Sequence, residues 1–440
     1  MTERSTVADA NQPPTTNRSL RATIAGGVGS VLEFYDYTLY GYLAIVLAPQ
    51  FFPASDPVSS LLAALGVFAV GYVARPLGGI AFGYIGDRRG RRTALIGSVI
   101  LMGAASVVIG LLPTFAQIGA GASVLLLLAR LAQGFAAGGE TAGASTLIAE
   151  STSGLRRAIY GAWTPIGSLL GFVLAASVVG LMTALTSAKQ MSDWGWRLPF
   201  LASVVIIAIA LWLRMRTDET ANLNARPKRS PILEVLRDHR GSLALVIALA
   251  IAVNGAAFIP LAYSSIHLIQ RLGYKPAAVY WIVAAAIAIS CLPMPFIGML
   301  ADRLGNRRVA AAGMVGYILL TFPGLALMGL DNLGLAFVGL LLIIVNNGFV
   351  SVPVYTEIPF LFPQSARYTG VSLGWNIGVI LAGATAPLAA VWLIEQTGIV
   401  TAPGFWVIGV SLIGLIGLAI AAGRLGPKTE VTGSESLPAR

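Results

Sequence analysis

A dense cluster of charge, Gly83-Tyr-Ile-Gly-Asp87-Arg88-Arg89-Gly90-Arg91-Arg92, sits between two long apolar runs. It recurs as Gly298-Met-Leu-Ala-Asp302-Arg303-Leu-Gly305-Asn306-Arg307-Arg308, again between apolar runs. The two aspartates are about 215 positions apart, close to half of the 440 residues. A repeat at that period means one structural unit used twice. Composition says what kind of unit. The chain is 56 % hydrophobic and 11 % charged, against roughly 25 % charged in an ordinary soluble domain. A bilayer core of about 30 Å needs about 20 apolar residues per helix, and the sequence supplies that length many times over. It reads as an all-α, polytopic membrane protein.

Apolar run length predicts twelve transmembrane helices, over roughly 22–48, 59–86, 93–112, 121–149, 157–182, 198–214, 242–269, 278–300, 308–329, 333–361, 367–393 and 403–423. They fall into two six-helix bundles, 22–214 and 242–423, joined by a polar linker at 215–241 and flanked by tails at 1–21 and 424–440. Of the 29 Lys and Arg residues, 23 lie in the tails or in alternate loops on one side. That is the positive-inside pattern, and it predicts that both termini are cytoplasmic. The polar residues 1–21 lack the apolar core of a signal peptide and read as a disordered cytoplasmic tail. Residues 231–240 suit either a short amphipathic helix at the inner surface or a solvated linker. The tail beyond Arg424 has no heptads.

The net charge of +10 does not point to nucleic acid, because the basic residues follow the loops rather than one stripe. One cysteine, Cys291, and two separated histidines, His239 and His267, offer no disulfide and no metal-ligand spacing. No nucleotide-binding loop and no nucleophile-base constellation is present. The expectation is a non-enzyme without cofactor or metal, functional as a monomer in a lipid bilayer and driven by an ion gradient.

Four blocks carry a resemblance: Val31-Leu-Glu33-Phe-Tyr35-Asp36, Ala74-Arg75-Pro76-Leu-Gly78-Gly79, Arg130-x-x-Gln133-Gly134-x-x-x-Gly138-Gly139-Glu140 and Trp194-Gly-Trp196-Arg197-Leu-Pro199-Phe200. With the 83–92 signature they make the chain similar to the major facilitator superfamily. More narrowly, it resembles the metabolite:proton symporters, which include citrate, α-ketoglutarate, shikimate and proline/betaine transporters. The resemblance implies two pseudo-symmetric bundles that rock about a central site, in a bacterial inner membrane. It also implies that the charged repeats are gates. Gly83 allows close approach, Asp87 accepts from the N-terminus of a neighbouring helix, and Arg88 and Arg91 pair with Glu150, with Asp302, Arg303 and Glu357 as the pseudo-symmetric counterpart.

Ionisable residues within spans are costly and mark function by default. Glu33 and Asp36 share one face of helix 1, Arg75 is mid-way along helix 2, and Arg130, Gln133 and Glu140 form a stripe on helix 4. Asp36, Glu33 and Glu140 are expected to carry the proton, with Arg130 alternating between carboxylate and substrate. The same set also suits a static ion pair between helices 1 and 4. Arg75, Arg130, Gln133, Tyr37, Asn254, Tyr263, Asn346, Asn347, Trp375 and Asn376 are the expected substrate-binding residues, although buried amides also serve as helix-to-helix glue. Arg75 is equally suited to pairing with Glu33 or Asp36. Two midplane arginines suggest import of a small organic anion, a carboxylate metabolite, by proton symport. The missing heptads count against a zwitterionic osmolyte, and the midplane charges count against a drug exporter; both remain as alternatives.

Overall fold

The computed structural model describes residues 16–89, 91–138, 146, 157–215, 231–363 and 366–424. Among the described residues every regular element is helical. In chain order the long helices are α1 (Thr16–Phe51), α2 (Pro57–Val73, continued by Arg75–Arg89), α3 (Arg91–Leu111), α4 (Ala120–Ala137), α5 (Arg157–Leu185) and α6 (Arg197–Met215). After the linker come α7 (Arg240–Arg271), α8 (Pro276–Leu304), α9 (Asn306–Met328), α10 (Leu333–Leu361), α11 (Arg367–Thr397) and α12 (Pro403–Arg424). Nine described helices are long and apolar enough to cross a membrane, or ten if the bent pair Ala188–Gly195 and Arg197–Ile209 is one span. The apolar part of α3, Ile96–Leu111, is shorter, because its first turn is spent on Arg91, Arg92 and Thr93. α1 begins at Thr16, six residues ahead of the expected start.

Local chemistry explains several boundaries. Asp56 caps α2 by accepting from the Val58 and Ser59 N–H groups. Hydrogen bonds from the Ser59 hydroxyl and those two amides hold the Asp56 carboxyl below its usual range. Asn332 caps α10 in the same way, accepting from Gly334 and Leu335 N–H. α2 is interrupted at Ala74, just ahead of Arg75-Pro76, since proline cannot donate to the carbonyl four residues back. Residues 231–240 do form a short helix, Pro231–Asp238, with Val235 buried and Leu233 and Leu236 exposed.

Glycines set the spacing around the centre. A Cβ on Gly134 would strike the Gly71 carbonyl, one on Gly78 the Phe135 carbonyl, and one on Gly138 the Arg75 carbonyl. α2 and α4 therefore run backbone against backbone, as small residues permit in lipid. This places Arg75 and Arg130 on adjoining walls. The outer faces carry exposed aliphatic and aromatic groups, such as Val73, Leu77 and Ile80 on α2 and Leu292 and Phe296 on α8. That is the surface a hydrocarbon environment selects.

α7 is not a regular helix. It contains two wide, π-type turns, Ile259–Tyr263 and His267–Arg271. Pro260 lacks an N–H, and side chains from other helices take up nearby carbonyls. Trp406 Nε1 donates to the Gly255 carbonyl at 3.1 Å, and the Tyr42 hydroxyl donates to the Leu261 carbonyl at 2.9 Å.

The first six long helices touch the last six at both ends of the bundle. At the arginine-rich end, Asp302 accepts from the Ala158 and Ile159 N–H groups at 2.9 and 3.3 Å, in the first turn of α5. Nearby, Asn376 Nδ2 and the Ser372 hydroxyl donate to the Gly138 carbonyl at 3.1 and 3.3 Å. At the opposite end Tyr42 holds Leu261, and the Tyr280 hydroxyl donates back to the Tyr42 carbonyl at 2.6 Å.

Candidate functional site

Arg130 lies at the centre of the first six helices and is 0 % exposed. Its guanidinium carbon sits over the rings of Tyr37, Tyr40 and Phe68 at 4.3, 4.5 and 5.4 Å. Nη1 donates to Gln133 Oε1 at 2.8 Å, and Gln133 Nε2 donates to the Ser106 hydroxyl at 2.7 Å. The Arg130 Nε and Nη2 groups and the Tyr37 hydroxyl have no hydrogen-bond partner. A buried charge normally spends its donors, because each unpaired one carries its full desolvation cost. Two unspent guanidinium donors beside an unspent phenol form a fork that the two oxygens of a carboxylate would match.

One helical turn away, Arg75 pairs with Glu33, both of them buried. The Arg75 guanidinium also lies over Tyr37 and Tyr72 at 5.3 and 5.2 Å. Of the two roles open to Arg75 in the sequence, the structure has the ion pair with Glu33. Asp36 does not pair with Arg75. It accepts from the Ser203 hydroxyl of α6, with Ser106 and Arg130 also beside its carboxyl. Ser106 and Ser203 went unnoticed in the sequence, where a single serine in an apolar helix carries no signal. Glu140 lies outside the described residues.

The second six helices close the site with rings rather than charges. Phe258 of α7 lies 6.3 Å from Phe68, 6.1 Å from Tyr72 and 6.0 Å from Phe172 between centroids. An aromatic wall thus crosses the boundary between the chain halves. Tyr355 and Trp375 form a second ring pair, 4.6 Å apart. The expected polar donors of this half are placed differently from one another. Asn254 and Asn346 donate back to carbonyls of their own helices, and Tyr263 meets His267 Nδ1 at 3.2 Å. Asn376 ties α11 to Gly138, so its amide bridges the halves. Asn347 keeps an acceptor without a partner. No group of metal-ligating side chains occurs among the described residues.

Gly83, Asp87 and Arg88 lie on the second part of α2 and Arg91 opens α3, but their side chains, and Glu150 entirely, are outside the described residues. The second repeat is described. Asp302 sits at the N-terminus of α5, where the helix dipole favours a carboxylate. Glu357 accepts from Arg307 Nε at 2.7 Å, whereas Arg303, the partner anticipated from sequence, is exposed. Arg307 starts the helix antiparallel to α10 and therefore lies alongside Glu357 at the end of α10. Removing the Asp302 carboxylate as Asp302→Ala deletes a cap worth about 1–2 kcal/mol. The expected result is a roughly five- to thirtyfold shift toward the form open at the arginine-rich end, measured by accessibility of cysteines placed at the two ends. An unchanged ratio would show that Asp302 has no gating role.

The comparisons with known proteins agree with this architecture. The family model described as Major Facilitator Superfamily matches residues 27–374. The glycine betaine/proline/ectoine/pipecolic acid transporter of Dickeya dadantii is 36 % identical over 415 residues, covering 91 % of this chain and 82 % of that one. The shikimate transporter of Escherichia coli is 35 % identical over 390 residues, covering 86 % and 88 %. Among solved structures, a D-xylose-proton symporter superposes with a TM-score of 0.73 at 17 % identity, over 91 % of this chain and 96 % of that one. That last likeness is one of fold. The chain is a multi-pass membrane transporter, not an enzyme, and it belongs to the major facilitator superfamily.

Proposed function

We propose that this chain imports small zwitterionic solutes, of the amino-acid and betaine type, by proton symport. It would do so through twelve spans with both termini in the cytoplasm of a bacterial cell, its two bundles rocking about the central site. One observation carries the reading: the two unspent donors of Arg130 lie against an aromatic wall built from both halves. A carboxylate takes the guanidinium fork, and an ammonium group a few ångströms away takes the neighbouring rings of the wall, Phe172 and Phe258. A betaine or a cyclic amino acid presents those two groups at that spacing. The names of the relatives support this choice, since proline and betaine transporters are 35 % identical over about nine-tenths of the chain. The lack of heptads near the C-terminus, taken from the sequence as a mark against an osmolyte, carries less weight than these two facts.

Proton movement falls to Asp36 and Glu33, buried carboxyls within reach of Arg130 and Arg75. When the substrate carboxylate engages Arg130, Asp36 loses a neighbouring positive field and takes up a proton; release reverses this. A simple organic acid is the second reading, favoured by the 35 % identity to a shikimate transporter. Reconstituted vesicles with an imposed inward proton gradient separate the two. Accumulation of labelled L-proline or glycine betaine, with none of shikimate or dicarboxylates, is the expected result. Accumulation of the acids alone would overturn the zwitterion reading, and uptake indifferent to the gradient would overturn proton coupling.

A further inference from the structure

We infer that α10 reads the nitrogen of the substrate: Asn347 Oδ1 and Ser351 Oγ accept hydrogen bonds from ammonium N–H groups and so distinguish primary and secondary amines from fully methylated ones. This inference rests on the zwitterion reading above.

Both atoms are anomalies in an otherwise satisfied helix. Asn347 is 4 % and Ser351 2 % exposed, and neither oxygen has a hydrogen-bond partner. The neighbouring Asn346 spends its amide on the Leu342 and Ile343 carbonyls. Hydroxyls in spans here ordinarily turn back to their own helix, as Thr356 does to Val352, Ser168 to Thr164 and Thr321 to Tyr317. Ser351 has the same option and does not use it.

Helical geometry separates these residues from the glue positions. Asn346, Phe349 and Val350 pack on Gly316 and Gly313 of α9. Asn347, Ser351 and Tyr355 fall four residues apart on a different face. The Tyr355 end of that stripe meets the first half of the chain: Ser168 of α5 and Arg75 lie beside its phenol, while its ring tilts against Trp375 of its own half. At about 1.5 Å per residue, Asn347 is about 12 Å further along, in the middle of α10. The stripe therefore leads from the boundary between the halves to mid-span.

An amide oxygen needs a donor. A proline-like ammonium has N–H groups to give, and in a water-poor site each bond to a charged donor is strong. A trimethylammonium has none; a betaine is held at its nitrogen by ring faces and at its carboxylate by the Arg130 fork, whatever α10 offers. A site with fixed hydrogen-bond partners discriminates against the analogue that lacks the matching group.

The test compares the double variant Asn347→Leu/Ser351→Ala with the parent protein, using equilibrium binding of L-proline and glycine betaine to purified protein and melting temperature as the control for folding. Proline binding is expected to weaken tenfold or more, with betaine binding changed less than about twofold. Equal losses for both ligands, or no loss for either, would overturn the role of α10 and leave the zwitterion reading standing. A parent protein that binds neither ligand but binds organic acids would remove the zwitterion reading, and this inference with it.

Discussion

Arg130→Lys is expected to abolish substrate binding in a protein that still folds. Lysine keeps the positive charge, so the buried electrostatics with Asp36 survive. It cannot present two parallel donors, nor spread its charge flat across Tyr37 and Tyr40. The loss falls on the two donors that have no partner in the protein, Nε and Nη2, and on the bond to Gln133. Bidentate charge-assisted pairs are roughly twice as strong as neutral hydrogen bonds, which corresponds to a weakening of about a hundredfold or more in Kd. Calorimetric titration of the purified variant measures it. Arg75→Lys provides the contrast. Arg75 is committed to Glu33, so its replacement is expected to lower the melting temperature more than the affinity. If Arg130→Lys binds substrate like the parent, the carboxylate receptor lies elsewhere.

The second large effect is expected at Asp36. Asp36→Asn keeps the shape and can still bond to Ser203, but it has no proton to exchange. Substrate should still equilibrate across the membrane and exchange with unlabelled substrate, because the site and the gates remain. Accumulation driven by an imposed pH gradient should collapse to a concentration ratio of about one, a loss of tenfold or more for a coupled carrier. Counterflow and gradient-driven uptake in the same vesicles measure both properties. Normal accumulation by Asp36→Asn would move the proton site, with Glu33 next in line. A loss of exchange as well as accumulation would make Asp36 a structural residue.

Much of this architecture was legible in the sequence, because a bilayer imposes few choices. Apolar run length gave the helix order, and each midplane charge stood out because it is expensive there. Arg130 and Asp36 stood out by that cost and by the family resemblance, and both are buried. Partners were harder to foresee. Nothing in the sequence says that Asp36 meets Ser203, 167 residues away, or that Glu357 takes Arg307 rather than Arg303, since pairing depends on rotation about helix axes. Phe258 was missed for a related reason. A phenylalanine in an apolar span is the default, and only its position beside Phe68, Tyr72 and Phe172 sets it apart. The wide turns of α7 had one visible cause in Pro260, but the carbonyl that Tyr42 would occupy could not be read from it.

The clasps at the two ends of the bundle have a consequence for the cell. Asp302 on the amides of α5, and Tyr42 with Tyr280 across α1, α7 and α8, are contacts between groups of the chain itself. A carrier whose gates are such contacts can close both ends at once, and while closed it is an insulator. A membrane can be stocked with such carriers ahead of need without draining the voltage and ion gradients that other processes share. Abundance then limits how fast solute crosses, and it adds little to the standing leak.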